Sequence, residues 1–248
     1  MIGKDLLDLL KKEKVCFGLI DPDKKNVKEA AKVIEKSGFD ILLVGGSTGI
    51  SRDIVDEAIL EIRENCNLPI VIFPNSSEAI SKHADLVLFI TLMNATDVKY
   101  VFGEQKKGAR LIQKWKPESL PVAYILFSTG KKPTSVEKVV GRDNLDIISN
   151  KDVEKSIDYG LCAQFSGKSF IYCDAGSGAE KPISFEIVHA LTRIIEIPLV
   201  IGGGIRTNMD ALTLSRLGVN GIVIGTEIEE NPKEMKGIVS AFKTGSLF

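Results

Sequence analysis

The residues best suited to chemistry lie where apolar, strand-forming runs end in an acid or in glycines. The run Phe170–Cys173 is followed by Asp174 and then by the small residues Gly176-Ser-Gly178. Two further runs end in glycine, at Gly202–Gly204 and at Gly225-Thr226. Glycine has no side chain to shield the backbone, so the N–H groups at such junctions can approach an anion. The pattern predicts a phosphate site with a carboxylate beside it.

Asp174 and Tyr172 are the candidates for a catalytic role. They stand two residues apart on one predicted strand, so their side chains point to the same face. A carboxylate beside a hydroxyl donor and a phosphate site can act as a general base toward a substrate alcohol. The alternative is that Asp174 caps a loop and Tyr172 packs in the core. Cys173 points the other way and is predicted to pack against helices.

A second polar group follows the first two predicted strands. Asp21 and Asp23 follow the first strand, and Ser47 follows the second after Gly45-Gly46. Carboxylate and hydroxyl oxygens suit Mg²⁺, which keeps several waters and needs few protein ligands. A plain turn followed by a helix cap is the alternative at Asp21. The neighbouring Gly-Gly-Ser favours a site, and we predict that Asp21, Asp23 and Ser47 offer oxygen ligands to Mg²⁺.

Short apolar runs alternate with segments of helical periodicity along the chain. The fold that this order predicts determines where the candidate residues meet. The predicted strands are Val15–Ile20, Ile41–Val44, Ile70–Phe73, Leu86–Ile90, Val122–Leu126, Phe170–Cys173, Leu199–Ile201 and Gly221–Ile224. Apolar residues recur at helical spacing in Val27–Ser37, Arg52–Asn65, Val98–Lys114, Asp152–Ser166, Ser184–Ile195 and Asn208–Leu217. Eight βα units predict an α/β fold, a single (β/α)8 TIM-barrel domain over residues 1–248, with its site at the carboxyl ends of the strands.

Two intervals depart from regular alternation. Pro74–Asp85 is too short for a helix and two loops, so the third helix is predicted to be short or replaced by a strand or loop. Phe127–Lys151 is long, polar and weakly periodic. It predicts an extended loop over the carboxyl-terminal face of the barrel, where it could act as a lid.

Composition excludes several classes of protein. The formal net charge is −1, so the chain shows no electrostatic footprint for nucleic acid. No apolar run approaches the roughly 18 residues of a transmembrane segment. The amino terminus carries acids, unlike a secretory signal, which predicts a cytoplasmic protein. Four scattered cysteines and two histidines predict neither a zinc site nor a histidine-based metal cluster.

Taken together, these motifs resemble the geranylgeranylglyceryl phosphate synthases and their bacterial prenyl-glyceryl-phosphate relatives. The resemblance runs through most of the chain and is carried by Leu19-Ile-Asp-Pro-Asp-Lys24, Val44-Gly-Gly-Ser47, Phe73-Pro74, Ala123-Tyr-Ile125, Tyr172-Cys-Asp-Ala-Gly-Ser-Gly-Ala179, Gly202-Gly-Gly-Ile-Arg206 and Gly225-Thr226. The last two motifs are shared with other phosphate-binding barrels. The string around Asp174, combined with the opening Ile-Asp-Pro-Asp-Lys, is much more specific.

The resemblance implies a Mg²⁺-dependent prenyltransferase. It would join geranylgeranyl diphosphate to the 3-hydroxyl of sn-glycerol 1-phosphate, the first committed step of archaeal-type membrane ether phospholipid biosynthesis. Asp21 and Ser47 would bind Mg²⁺, Asp174 would accept the hydroxyl proton, and an apolar groove would hold the tail. The residues implied to bind sn-glycerol 1-phosphate are Tyr172, Cys173, Asp174, Ala175, Gly176, Ser177, Gly178, Gly203, Gly204, Gly225 and Thr226. The resemblance also implies a barrel without a regular third helix and a homo-oligomer.

The chain departs from the family at Asp174, where glutamate is usual. Aspartate is one methylene shorter, and about 1 Å of misplacement can cost roughly 100-fold in rate. Leu19 stands where one branch has a phosphate-contacting lysine, and Ala123 replaces a common glycine. Two alternatives stay open: a non-catalytic prenyl-phosphate- or phosphate-binding barrel, and a sugar-phosphate isomerase or cyclase. The isomerases and cyclases need acids on strands one and five, and strand five offers Tyr124 instead.

Overall fold

Parallel strands close into a barrel in the computed structural model, which describes residues 2–46, 50–130 and 133–247. The strands of these ranges are β1 (Val15–Ile20), β2 (Ile41–Val44), β3 (Ile70–Ile72), β4 (Leu86–Leu92), β5 (Glu118–Ser128), β6 (Ile148–Ser149), β7 (Phe170–Asp174), β8 (Leu199–Gly202) and β9 (Gly221–Ile224). The barrel order is β1-β2-β3-β4-β5-β7-β8-β9, and β9 pairs back onto β1. The predicted (β/α)8 architecture is confirmed, and β6 is a short addition beside β5.

Helices surround the barrel. The α-helices of the described ranges are α1 (Ile2–Lys12), α2 (Val27–Ser37), α3 (Arg52–Arg63), α4 (Glu104–Trp115), α5 (Ser135–Val140), α6 (Val153–Phe165), α7 (Phe185–Ile194), α8 (Asn208–Arg216), α9 (Thr226–Glu230) and α10 (Met235–Thr244). Six of them match the predicted helices to within a few residues, except that α4 begins later. The other four were not among the predicted helices: α5 and α9 are too short to show a period, and α1 and α10 lie before the first and after the last predicted strand. None of the helices in the described ranges is long and apolar enough to cross a membrane.

Successive side chains of each strand point to opposite faces of the barrel wall, and this produces two apolar layers. One face fills the barrel with side chains such as Phe17, Leu43 and Val122. The other face packs against the helices and includes Cys173, as its position on the strand predicted. Helix α1 closes the amino-terminal end of the barrel, and the Glu118 carboxylate accepts hydrogen bonds from the first amides of that helix. This packing leaves the carboxyl-terminal end of the barrel open for a site.

The interval between β3 and β4 has no regular helix, as predicted. It contains only a 3₁₀ turn, Ser77–Ala79, hereafter the β3–β4 turn. On the other side of β4, a π-helical turn, Lys99–Gly103, leads into α4. Irregular backbone therefore flanks β4 on both sides along the chain, and α4 begins only after it.

The prediction of an extended loop over Phe127–Lys151 is partly wrong. Strand β5 continues to Ser128, and the described part of the segment contains α5, a 3₁₀ turn and β6. Helix α5 has a capping box in which Thr134 and Glu137 satisfy each other's backbone amides. Local capping bonds and the pairing of β6 with β5 give this polar stretch a structure that hydrophobic periodicity does not reveal.

Candidate active site

A carboxylate held in a defined orientation lies at the end of β7. Asp174 Oδ2 accepts a hydrogen bond of 2.7 Å from Tyr124 Oη, and Oδ1 accepts one of 2.8 Å from the backbone N–H of Gly176. The residue is only 8% exposed. Burial raises the pKa of the Asp174 carboxyl, and the two hydrogen bonds oppose that shift. Each oxygen keeps a further lone pair, so Asp174 can still accept a proton from a ligand.

An aromatic cluster forms the floor beneath Asp174. The rings of Phe73, Tyr124 and Tyr172 stand with their centroids 5.2 to 5.4 Å apart. Tyr172 and Asp174 line the same cleft, as their spacing on the strand predicted. Burial raises the pKa of the Tyr124 hydroxyl well above its ordinary value, and the adjacent Asp174 adds to the effect. Tyr124 therefore stays protonated and acts as a donor to Asp174.

The predicted glycine junctions meet beside this carboxylate. Gly176, Gly178, Gly203 and Gly204 all have φ between +70° and +90°. A Cβ at Gly203 would lie 2.8 Å from the Gly176 backbone and 2.9 Å from Asp174 Oδ1, so the loops after β7 and β8 are in direct contact. Glycine is required there because any side chain would separate the two loops.

Backbone N–H groups without a protein acceptor make this arrangement suitable for binding an anion. Within the described ranges, the amides of Ser177, Gly178, Gly203 and Gly204 donate to no protein acceptor. The Ser177 hydroxyl lies 3.5 Å from the Thr226 hydroxyl at the start of α9, so the third junction joins the same cleft. Unpaired N–H groups and hydroxyls gathered on one wall form a nest that fits a phosphate. We call this set of loops, 176–178, 203–204 and 225–226, the glycine nest.

Arg206 ends the motif Gly202-Gly-Gly-Ile-Arg206, and a cation at this position could be either a phosphate contact or a charge at the start of a helix. The structure pairs its guanidinium with Glu227 at 2.7 Å, and its Nε donates to the carbonyl of Ala179. The Glu227 side chain is 5% exposed, so Arg206 neutralises a buried carboxylate. Arg206 thereby ties the loop after β7 to α9 and supports the glycine nest from the side.

Asp21 is the described member of the predicted metal pair. Its Oδ1 is buried and accepts no hydrogen bond from any residue in the described ranges. Burial, followed by the neighbouring Asp23, raises the pKa of Asp21 to about 6. A Cβ at Gly46, on the wall of the cleft, would lie 2.3 Å from this oxygen. A buried carboxylate oxygen without a partner fits a cation ligand.

The backbone of Asp21-Pro-Asp-Lys also forms the turn that was the alternative, since the Lys24 amide donates to the Asp21 carbonyl. The turn and the free carboxylate oxygen coexist. Ser47 lies outside the described residues. Among residues 2–46, 50–130 and 133–247, no group of three or more histidine, cysteine or acidic side chains could hold a metal.

An apolar groove continues from the glycine nest. The cleft extends past the aromatic floor and along β4, and on that side its wall is mostly apolar, with Ile80, Val87, Leu88, Phe89, Ile90, Leu92, Val136, Val139 and Val140. Helix α5 covers part of the mouth, and Tyr100 Oη donates to the Val139 carbonyl at 3.2 Å. A polar end and an apolar end in one cleft suit an amphiphilic ligand.

Comparison of the whole chain with known proteins places it in a family. A family model described as the PcrB family matches residues 8–243. The chain belongs to the PcrB family. This PcrB family member is 37% identical to a geranylgeranylglyceryl phosphate synthase of Thermoplasma volcanium, over 93% of this chain and 90% of the relative. It is 34% identical to the protein of the same name from Pyrococcus horikoshii, over 92% and 89%.

A solved structure agrees with these relatives. It is the (S)-3-O-geranylgeranylglyceryl phosphate synthase from Thermoplasma acidophilum, crystallised in complex with its substrate sn-glycerol-1-phosphate. The TM-score is 0.90 at 33% identity, covering 97% of this chain and 98% of that one. The resemblance inferred from the motifs is thus confirmed at the level of the family and of the fold.

The structure brings most of the predicted site residues together. Tyr172, Asp174, Gly176, Ser177, Gly178, Gly203, Gly204, Gly225 and Thr226 all line the cleft. Cys173 does not, because its side chain packs against the helices. Ala175 is also buried away from the cleft wall. The sequence did not single out Tyr124 as the partner of Asp174, although the pairing of β5 with β7, which sets Tyr124 beside Tyr172, makes that contact possible.

Proposed function

We propose that the protein transfers a geranylgeranyl group from its diphosphate to the 3-hydroxyl of sn-glycerol 1-phosphate. The observation that carries this proposal is the position of Asp174, between the glycine nest and the apolar groove. The nest fits the phosphate of the acceptor, and the groove fits the prenyl tail of the donor. Both reacting atoms would then meet at the Asp174 carboxylate.

The chain's own residues account for the acceptor side of the reaction. The glycine nest binds the phosphate and fixes the glycerol, and Tyr172 lines the cleft where the glycerol hydroxyls would lie. The bond between prenyl C1 and the diphosphate oxygen breaks, and an ether bond forms between C1 and glycerol O3. The O3 proton passes to Asp174, and the diphosphate leaves with the electron pair of the broken bond. Holding both reactants in place removes much of the entropic part of the activation barrier of the reaction.

Mg²⁺ belongs to the proposal as the counter-ion of the leaving diphosphate. Asp21 would hold it, together with Ser47 as implied by the resemblance, and the ion would offset the negative charge that develops on the leaving group. The unpartnered Oδ1 of Asp21 supports this assignment. Removal of divalent ions with EDTA is expected to stop product formation, and Asp21→Asn is expected to weaken the response to added Mg²⁺.

Homo-oligomerisation and a cytoplasmic location stay predictions from the resemblance and the sequence. Light scattering of the purified protein measures the former directly. A single-sized species larger than 27.0 kDa would support a homo-oligomer, whereas a monomer would contradict it.

The test of the proposed function is substrate discrimination. The purified protein is incubated with Mg²⁺, geranylgeranyl diphosphate and either sn-glycerol 1-phosphate or its enantiomer, sn-glycerol 3-phosphate, and the ether is detected by mass spectrometry. We expect product from the first acceptor at a rate at least tenfold above the second, because a nest that fixes the phosphate presents only one enantiomer's hydroxyl to Asp174. Tight binding of both ligands without product would favour the non-catalytic phosphate-binding alternative.

A further inference from the structure

Three apolar side chains stand exposed beside the mouth of the apolar groove. Val98 is 68% exposed, Phe102 is 62% exposed and Val139 is 41% exposed. Val98 immediately precedes the π-helical turn that contains Phe102, and Val139 belongs to α5. The hydrogen bond from Tyr100 Oη to the Val139 carbonyl holds this turn and α5 side by side. Exposed apolar side chains that cluster in this way, rather than standing singly, mark an interaction surface.

This surface is continuous with the groove itself. Tyr100 and Val139 line the cleft and also lie among the exposed apolar side chains at its mouth. An amphiphilic ligand whose hydrocarbon chain enters or leaves the groove on this side therefore passes along apolar side chains. The surface and the groove can serve the same class of ligand.

Exposed cations surround the three apolar side chains. Those of segments 97–110 and 133–140 are Lys99, Lys106, Lys107, Arg110 and Lys138. The acids of the same two segments each accept a hydrogen bond from a backbone amide: Asp97 from Lys99, Glu104 from Ser77 and Glu137 from Thr134. The formal net charge of the whole chain is −1, so this excess of exposed cations is a local property. We call Val98, Phe102, Val139 and these five cations the groove rim.

The chemistry of the groove rim fits an anionic lipid surface. Apolar side chains can insert at the boundary between headgroups and acyl chains, while lysine and arginine attract the phosphates of the headgroups. A second copy of the chain fits less well, because a symmetric contact would set the same five cations against each other. The combination of cations with exposed apolar side chains therefore favours a lipid partner.

We propose that the groove rim docks the protein reversibly on an anionic lipid bilayer, with the mouth of the groove facing the membrane. This inference rests on the proposed function for one step, namely that the donor and the ether product are prenyl lipids that partition into a bilayer. Docking lets such a chain pass between bilayer and groove with little exposure to water, which is unfavourable for hydrocarbon. The attachment is peripheral, since none of the helices in the described ranges could cross a membrane.

The experiment measures how the purified protein partitions onto vesicles in a flotation assay. Vesicles of phosphatidylglycerol are compared with vesicles of phosphatidylcholine of the same size, which carry no net charge. We expect the wild type to bind the anionic vesicles at least about tenfold more strongly and to lose that binding as salt is added. Lys99→Gln and Lys138→Gln should each weaken it about fivefold, the scale of one basic residue at such a surface. Phe102→Ser should weaken it about tenfold, because an inserting side chain is lost.

Phe165→Ser and Lys36→Gln are the matched controls. Phe165 is 81% exposed and is the last residue of α6, next to the amino-terminal end of β7. Lys36 is exposed in the last turn of α2, before β2 begins. Both residues therefore lie at the end of the barrel opposite the groove, and both variants should bind phosphatidylglycerol vesicles as the wild type does. Equal losses in the controls and in the rim variants would overturn the inference, as would a wild type that binds neither kind of vesicle.

Light scattering and the ether assay separate the docking surface from the other possibilities. If Phe102→Ser forms a smaller species than the wild type and the wild type binds no vesicles, the groove rim is a contact between copies and the inference is wrong. If the wild type binds anionic vesicles through the rim but forms no ether from any donor, the proposed function fails and the docking surface stands. If ether forms but no rim variant changes vesicle binding, the function stands and this inference fails.

Discussion

Tyr124 donates a 2.7 Å hydrogen bond to Oδ2 of Asp174 from the neighbouring strand of the barrel. Together with the Gly176 amide on Oδ1, it fixes the plane of the carboxylate before any ligand arrives. Such preorganisation matters because a group that is already oriented loses little entropy when it accepts a proton. The shorter acid of this chain is thus held in place by a tyrosine and a loop amide.

Replacing Tyr124 should change the pH dependence of the reaction. The Tyr124 bond lowers the pKa of Asp174, while burial raises it. In Tyr124→Phe the pKa should rise further, so the acid limb of the kcat/KM profile should move to higher pH, and the rate near pH 7 should fall by about tenfold. Tyr159→Phe is the control, because it removes a similar hydroxyl, bonded to Asp146 at 2.8 Å outside the cleft. An acid limb that stays in place in Tyr124→Phe would contradict this role.

The ionised Asp174 carboxylate should lower the free energy of unfolding, although it supports activity. Its pKa in the folded state lies above the ordinary value, so the folded protein binds the proton more tightly than the unfolded chain. The free energy of unfolding should therefore fall as the pH rises from the unfolded pKa through the folded one. Asp174→Asn removes the charge and keeps an acceptor for Gly176. We expect its Tm at pH 7 to equal or exceed that of the wild type, measured by calorimetry. A Tm several degrees lower would show that the carboxylate is stabilising.

Two glycines of the nest should respond differently to alanine. Gly204 and Gly178 have φ of +70° and +75°, so alanine should cost about 1 kcal/mol of backbone strain at either position. A Cβ at Gly204 would lie 2.2 Å from the Lys181 backbone, whereas nothing lies within 4 Å of one at Gly178. Gly204→Ala should therefore lose about 3 kcal/mol of unfolding free energy.

Calorimetric titration with sn-glycerol 1-phosphate completes that comparison. We expect the Kd of Gly204→Ala to rise more than tenfold, because the loop must move away from its neighbour and carries its amides with it. Gly178→Ala should bind more weakly only to the extent that its own amide shifts. Equal losses of unfolding free energy in the two variants would mean that the close approach of the Lys181 backbone to Gly204 does not affect stability.

Arg206 should act on stability through Glu227. Arg206→Met leaves a buried carboxylate without its charged partner, and since the arginine is about a third exposed, we expect a loss of about 2 kcal/mol in unfolding free energy. Adding Glu227→Gln should restore most of that loss, because the uncompensated charge is gone. A double-mutant cycle by chemical denaturation measures the coupling. If the two losses are additive, the pair contributes no coupling and Arg206 has another role.

The strand ends, and therefore most of the cleft, could be predicted from short stretches of the sequence. Apolar runs that stop at Asp174, at Gly202–Gly204 and at Gly225 predicted three junctions on one edge of a parallel barrel, and the structure places all three in one cleft. The short interval before β4 likewise predicted the missing helix. These features depend on residue type and spacing within one segment, which a single sequence displays.

Contacts between distant segments could not be predicted in the same way. The Tyr124–Asp174 bond depends on the register of β5 against β7. The hydrogen bonds that Ser77 donates to the Glu104 carboxylate depend on how α4 packs on the β3–β4 turn. Neither register nor packing angle leaves a local pattern. The choice of Glu227 as the partner of Arg206 has the same origin, since it requires the position of α9 relative to the loop after β8.

The most direct measurement of the central claim is a single turnover of geranylgeranyl diphosphate and sn-glycerol 1-phosphate with Mg²⁺, in the wild type and in Asp174→Asn. Mass spectrometry follows the ether, and calorimetry confirms that both proteins bind both ligands. We predict ether from the wild type and at least about 100-fold less from Asp174→Asn at similar affinities, as expected when a general base is lost. Equal rates of ether formation in the two proteins would contradict Asp174 as the proton acceptor, and binding without ether in the wild type would contradict the transferase itself.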